Sequence, residues 1–370
     1  NNAWVNIANI KDNATTSYQI TGLAANTNYK FRAVAYVTDG ESTAYSSYTS
    51  ALTISTAPAM TTGFAITGRD SSSLTLSWVK NTSADGYVIQ PQVNGAWSNI
   101  AVLKSNATVT YKVTELDPNA FYRFRMVAFK SHDGTKLYSK YTGAMSGYTA
   151  PAMVSGLKVV TDSENQLTVS WSKVDSANGY VLDIYKDGKW TEVARYKGNG
   201  TLKYVATGLT AGTQYKFRIK SFAVNNSLTI YSTYSSPVIA VTKPAQVTGF
   251  KITANGSNSV SLSWNKMNAS GYVIQCLKNN EWVTVGNIKD DTVTSYTVTG
   301  LTANSSYKFR MVAYATVNNT SVYGKYTAAL AGRTAPAKVT NLTMTNRGTD
   351  FISALYGKSN RKGYFPLCKA

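Results

Sequence analysis

A repeat of 92 or 93 residues constrains this chain more than any other feature, because six separate marks keep it in one register. The tetrapeptide Tyr-Lys/Arg-Phe-Arg begins at Tyr29, Tyr122, Tyr215 and Tyr307. A Leu stands six residues before each (Leu23, Leu116, Leu209 and Leu301). Trp78, Trp171 and Trp264 recur, with Tyr356 in the fourth place, and a second Trp recurs at Trp4, Trp97, Trp190 and Trp282. Gly-Tyr pairs fall at Gly86-Tyr87, Gly179-Tyr180, Gly271-Tyr272 and Gly363-Tyr364, and Pro58, Pro151, Pro244 and Pro336 each open a new unit. Such a period means that one supersecondary unit is copied along the chain. The 370 residues therefore divide into several small cores rather than one.

Inside a unit the apolar period is two. Leu74, Leu76 and Trp78 alternate with Ser and Thr, as do Leu167, Val169 and Trp171. Around the Tyr motif, Tyr29, Phe31, Ala33 and Ala35 share one face, and Lys30, Arg32, Val34 and Tyr36 share the other. Asn94-Gly95 and Asp187-Gly188 lie between strand-like runs and predict tight hairpin turns, where glycine accepts a positive φ. No stretch has helical apolar spacing long enough for a helix, and none is apolar over 18 residues, the length a membrane-spanning helix needs. Charged residues are only 15% of a chain rich in Tyr, Asn, Ser and Thr, which suits short strands joined by polar turns. The fold class expected is all-β, with tandem sandwiches.

These marks are where a family shows itself. Each unit resembles a fibronectin type III module, an immunoglobulin-like sandwich with a buried Trp on its second strand and Gly-Tyr opening its third. The Leu followed six residues later by Tyr resembles the tyrosine corner, in which the hydroxyl ties the chain to backbone upstream. The resemblance implies two antiparallel sheets per unit, one of three strands and one of four. The Asn-, Thr- and Tyr-rich wording is similar to modules in large surface proteins of Gram-positive bacteria. The expected modules are 58–150, 151–243 and 244–335, with partial units at 1–57 (closing strands) and 336–370 (opening strands). Junctions are short and contain Pro, so an end-to-end rod of modules about 30–35 Å long is expected. The two partial units together would complete one sandwich. That predicts either a window of a longer array or head-to-tail pairing of like chains by strand exchange.

Nothing in the sequence supports catalysis. His132 is the only histidine, in a Ser131-His132-Asp133 run without counterpart elsewhere, and is expected as an exposed loop residue. Adjacent letters do not make a triad, whose members converge from separate parts of a chain. Two cysteines cannot form a disulfide framework. Cys276 alternates in step with Tyr272 and Ile274 and is expected as a small buried hydrophobe, and Cys368 holds the same place in the next unit. Carboxylates are scattered, Cys/His clusters are absent, and neither a metal nor any other cofactor is implied.

The candidate site is a repeated basic pair, Lys30/Arg32, Arg123/Arg125, Lys216/Arg218 and Lys308/Arg310, pointing outward from the larger sheet. One reading is an anion-binding stripe to which each unit adds a weak contact. The preferred reading is structural, with the cations lying over Trp97, Trp190, Trp282 or nearby tyrosines. Tyr45/Tyr48, Tyr138/Tyr141, Tyr231/Tyr234 and Tyr323/Tyr326 recur at a spacing of three and are expected to pair the last strand with its neighbour. Sequons occur at Asn81, Asn199 and Asn341, among others.

The formal net charge of +19 favours anionic partners without choosing among them. Partners expected are neighbouring modules or like chains end to end, and anionic cell-wall or glycan polymers. No membrane span is expected, and nucleic acid is disfavoured because no stacking platform or groove-reading helix is evident. The function expected is a non-catalytic spacer, stalk or filament-forming segment of an extracellular or cell-surface protein. The alternative is an adhesin or accessory binding array. Fold alone does not choose between them.

Overall fold

A computed structural model describes residues 3–132 and 134–355. Asp133, Tyr356, Gly363, Tyr364 and Cys368, which belong to the motifs above, lie outside the described residues. Among the described residues every regular element is a β-strand, and no helix is long and apolar enough to cross a membrane. Two compact units result, Asn1–Ala152 with Phe222–Thr233 and Met153–Ser221 with Tyr234–Ala370.

In the second repeat, Thr110–Val113, Leu74–Ser77 and Ala65–Arg69 form a three-stranded antiparallel sheet. Opposite it, the long strand Phe121–His132 pairs with Gly86–Val93, Thr135–Tyr138 and Met145–Tyr148. Ala96–Trp97 and Ala101–Leu103 extend the far edge of that sheet. The third and fourth repeats have the same plan, built around Gln214–Asn225 and Ser306–Val317. Asn94 and Gly95 turn at φ 51° and 82°, and Asp187 and Gly188 at 51° and 79°, so both predicted hairpins form. In the fourth repeat Asn279 and Asn280 make the same turn without a glycine, at φ 50° and 64°.

Inward-facing alternate residues of both sheets make each core. In the second repeat Leu74, Leu76, Trp78 and Val113 of one sheet meet Tyr87, Ile89, Phe124, Met126 and Ala128 of the other. Trp78, Trp171 and Trp264 lie edge-on to Tyr87, Tyr180 and Tyr272, at ring separations of 5.3, 5.6 and 5.4 Å. These three tyrosines are fully buried, and their hydroxyls are satisfied twice. Tyr87 Oη accepts from Asn81 N at 2.9 Å and donates to Asn106 O at 3.2 Å. Tyr180 and Tyr272 repeat both bonds, with Val174 and Asn199, and with Met267 and Asp291. A buried hydroxyl with both bonds made avoids the cost of leaving a polar group unpaired.

The tyrosine corner forms in all four copies. Tyr29, Tyr122, Tyr215 and Tyr307 accept through Oη from Ala24, Asp117, Thr210 and Thr302 N at 2.8–2.9 Å. The glycine of each Gly-Tyr pair has its own reason. Gly86 lies directly across from Phe129, and a side chain there would overlap the Phe129 ring and the Leu103 carbonyl. Gly271 stands in the same relation to Tyr314 and Ile288.

Cys276 is fully buried in the fourth core, as expected, and burial pushes its thiol pKa up. His132 corrects its expectation. It closes the strand Phe121–His132 rather than sitting in a loop, and it is half-buried with its ring 3.3 Å from the Ser55 hydroxyl. The strand runs further than expected because Ser131 and His132 pair with Lys136 and Thr135 across the turn. Sequon Asn81 is buried and donates through Nδ2 to Ala59 O at 2.7 Å, so its amide is already engaged in closing a loop.

A turn in the second repeat yields a pH prediction. Asp70 accepts from the Ser73 hydroxyl at 2.7 Å and Ser72 N at 2.9 Å, with Lys112 Nζ 3.2 Å away. These bonds, the Ser73 hydroxyl foremost, hold its pKa down at about 2 against an ordinary 3.8. A carboxylate depressed on folding contributes stability above its unfolded value and loses it as pH falls through the folded one. Asp70→Asn should therefore destabilise the second repeat at neutral pH and converge with the parent between about pH 4 and 2. Its side chain is 41% exposed, so screening keeps the effect to about 1 kcal/mol or less. Urea midpoints at pH 7, 4 and 2 measure it, and a gap that persists unchanged at pH 2 contradicts it.

Candidate functional site

The outer face of the larger sheet carries the repeated basic pair. At one end of that face, Val88, Val127 and Phe129 form a small second cluster, matched by Val273, Val312 and Tyr314 in the fourth repeat. Phe129 points outward yet is only 3% exposed, because Tyr138 packs against it from the next strand at 6.3 Å. The other end of the face is cationic.

There each arginine of the Tyr-Lys/Arg-Phe-Arg motif lies between two aromatic rings. The Arg125 guanidinium is 4.4 Å from the Trp97 ring and 3.8 Å from the Tyr141 ring. Arg218 lies between Trp190 and Tyr234 at 4.3 and 3.8 Å, and Arg310 between Trp282 and Tyr326 at 4.3 and 4.1 Å. Arg32 is held likewise by Trp4 and Tyr48 at 4.2 and 3.8 Å. Stacking on both faces combines quadrupole attraction with burial of the side-chain stem, while the guanidinium rim stays wet.

The directly opposite strand supplies a third partner. Arg125 donates from Nε to Gln90 Oε1 at 2.8 Å, and Arg310 to Gln275 Oε1 at 2.9 Å. In the third repeat the corresponding residue is Asp183, which Arg218 meets through Nε and an Nη at 3.1 and 3.0 Å. The outer member of each pair is looser. Lys30, Arg123 and Lys308 are exposed, and Lys216 is half-buried with its ammonium 5.5 Å from the Tyr185 ring. Of the eight predicted residues, the four arginines at Arg32, Arg125, Arg218 and Arg310 thus sit in aromatic stacks, and the others flank them.

The Tyr-x-x-Tyr spacing also has a cause. The strand Thr135–Tyr138 breaks after Tyr138, so Tyr138 and Tyr141 both reach the outer face despite being three apart. The first tyrosine packs on Phe129, in accord with the expected strand pairing, and the second covers the arginine. Across the break, side chains replace missing backbone acceptors. Ala128 N donates to the Ser139 hydroxyl at 3.0 Å and Met126 N to the Thr142 hydroxyl at 3.1 Å. Thr49, Ser235 and Thr327 repeat the second bond on Ala33, Ile219 and Met311 N.

The model of the fibronectin type III domain matches residues 57–142, 150–240 and 245–326. The chain belongs to the fibronectin type III family. Among curated proteins it is 28% identical over 366 residues to the receptor-type tyrosine-protein phosphatase eta of Gallus gallus, covering 93% of this chain and 24% of that protein. It is also 28% identical over 324 residues to exoglucanase A of Cellulomonas fimi, covering 82% of this chain and 36% of the enzyme. The chain thus spans about a quarter to a third of these relatives' lengths. A two-module fibronectin type III segment of chicken tenascin aligns over 50% of this chain and all of its own, at 17% identity and a TM-score of 0.34.

Within these fibronectin type III repeats, three functional details escaped the sequence reading. The residue opposite Arg125, Arg218 and Arg310, which is Gln90, Asp183 or Gln275, stands 35 positions before its arginine in each of these three repeats. The Ser and Thr interleaved with the paired tyrosines cap strand N–H groups. The tyrosine of Gly-Tyr is a second hydroxyl tie. Each was signalled by recurrence at a fixed offset, but pairing two offsets requires strand register.

Proposed function

We propose that this chain is a non-catalytic spacer, a stalk or filament-forming segment of an extracellular or cell-surface protein. The observation that supports this reading most is where the recurring residues act. Both tyrosine ties, the edge-on Trp–Tyr pair and the Trp–Arg–Tyr stacks are engaged within their own repeat, holding a sandwich together. Among the described residues these recurring groups bond within their own sandwich rather than converging on a cleft, as the groups of an active site do. Fibronectin type III repeats also occur in proteins as different as a receptor phosphatase, an exoglucanase and myomesin-2. That range fits a module whose common role is connection.

A spacer is defined by length, and length is measurable. Excising residues 151–243 should shorten the maximum dimension from small-angle scattering by about 30–35 Å, one strand length per repeat. Duplicating them should lengthen it equally. An unchanged maximum dimension in both variants would contradict the spacer reading. The second reading, a binding array for anionic or glycan polymers, is favoured by one specific difference among the repeats, developed next.

A further inference from the structure

We propose that the outer face of the second repeat binds a carboxylate-bearing polysaccharide at Arg123 and Arg125, and that the third repeat is built not to. This goes beyond the spacer reading and does not depend on it. It starts from the residue opposite the stacked arginine. In the third repeat Asp183 neutralises Arg218, and Glu192 faces Asp183 across the neighbouring strand, itself paired with Arg195 at 2.8 Å. In the second repeat the same two places hold Gln90 and Asn99, whose amides bond to each other at 2.8 Å. Two carboxylates are thus replaced by two neutral amides under an unchanged arginine stack.

The consequence is an unneutralised cation pair on one face. Arg125 uses Nε on Gln90, and its Nη groups have no acidic partner among the described residues. Arg123, exposed and two residues along the same strand, reaches only Gln92 Oε1 at 3.5 Å. Both positive charges remain available to an external anion, in a chain of net charge +19.

Geometry selects the anion. Trp97 and Tyr141 cover both faces of the Arg125 guanidinium at 4.4 and 3.8 Å, so a ligand meets it only in its own plane, in a slot one planar layer thick. A planar carboxylate matches the guanidinium fork with both oxygens in that plane, whereas a tetrahedral sulfate or phosphodiester also carries oxygens above and below it, on the sides the two rings occupy. The surroundings favour sugar over peptide. The backbone N–H and C=O groups of Phe121–His132 here are held by strands on both sides, leaving a peptide no ladder to join. Asn99, whose Oδ1 is taken by Gln90, offers its Nδ2 to a sugar hydroxyl, and the exposed ring rims are amphipathic. A uronate-bearing chain satisfies all three conditions. The fourth repeat keeps Arg310–Gln275 and Lys308 but has Leu277 and Thr284 in place of Gln92 and Asn99, which makes it the weaker copy.

The test uses the whole 370-residue chain and calorimetry against oligogalacturonate, dextran sulfate, polyglutamate and neutral dextran at matched charge and salt. Oligogalacturonate should bind most tightly and dextran not at all. Arg123→Gln, which leaves every aromatic stack in place, should weaken oligogalacturonate about ten-fold, the effect of one charge-assisted contact. The double change Asp183→Gln with Glu192→Asn should add a site to the stoichiometry, because it gives the third repeat the two amides that Gln90 and Asn99 supply in the second. Thermal melts confirm that both variants fold. Dextran sulfate binding as tightly as oligogalacturonate overturns the slot, and equal binding of polyglutamate overturns the polysaccharide. An unchanged affinity in Arg123→Gln, or an unchanged stoichiometry in the folded double variant, overturns the site itself.

Discussion

Replacing Trp171 by Ala should make the third repeat the first to unfold, at a cost of about 3–5 kcal/mol. The indole is 5% exposed between the two sheets, edge-on to Tyr180 at 5.6 Å and 5.9 Å from the Tyr196 ring. Truncation to Ala removes all of these contacts and leaves a void that β-strands held by ladders on both sides cannot collapse into. A domain of this size has about 5–15 kcal/mol in hand, so the third repeat would be left marginal while its neighbours stay folded. Urea unfolding of the whole chain should then split, with an early phase reported by Trp190, the other tryptophan of that repeat. Trp171→Phe should cost far less. The Trp171 Nε1 has no hydrogen-bond partner among the described residues, so the smaller phenyl ring loses part of the packing but no bond. An unshifted, unsplit transition for the Ala variant would place Trp171 outside the core and shift the register of both sheets.

How much of this was readable beforehand depends on whether a residue acts along one strand or between strands. Trp171 and Tyr215, which alternation sets on one face of their strands and the family resemblance assigns to the buried Trp and the tyrosine corner, are 5% and 2% exposed. Cys276 follows the same alternation and is fully buried. The tyrosine corners were legible because donor and acceptor lie five residues apart in sequence. By contrast, Gln90 and Arg125 are 35 residues apart and meet only because two strands pair in one register. The arginine stacks were foreseen in kind, but each gathers residues from three separate stretches of the chain, and only the folded structure shows that both rings of a stack belong to one arginine. His132 was misplaced for the same reason. The strand carrying it is prolonged by pairing with Thr135–Tyr138, a partner invisible to local pattern.

The arginine stacks lead to the second large effect, an asymmetry between two halves of one ion pair. Arg218→Met should destabilise the third repeat by about 3 kcal/mol, whereas Asp183→Gln should cost under about 1 kcal/mol. The Asp183 side chain is 7% exposed, against 26% for Arg218. Removing the arginine strands a buried carboxylate with no other cation bonded to it in the sheet, and strips the covering from Trp190 and Tyr234. Removing the carboxylate strands nothing comparable. The guanidinium keeps both rings and its wet rim, and glutamine supplies the same Nε acceptor that Gln90 and Gln275 provide for Arg125 and Arg310. The second and fourth repeats have in effect already made this substitution. Their sandwiches retain the stack, the strand pairing and the buried Trp–Tyr pair. It follows that Asp183 adds little net stability, since the cost of desolvating its charge cancels most of the attraction. Adding Asp183→Leu to Arg218→Met should accordingly recover more than half of the loss, because no buried charge then remains. Urea midpoints of the third-repeat transition at neutral pH measure all three variants. Equal losses for Arg218→Met and Asp183→Gln would mean that the pair itself, rather than the stack around it, holds this face of the sheet.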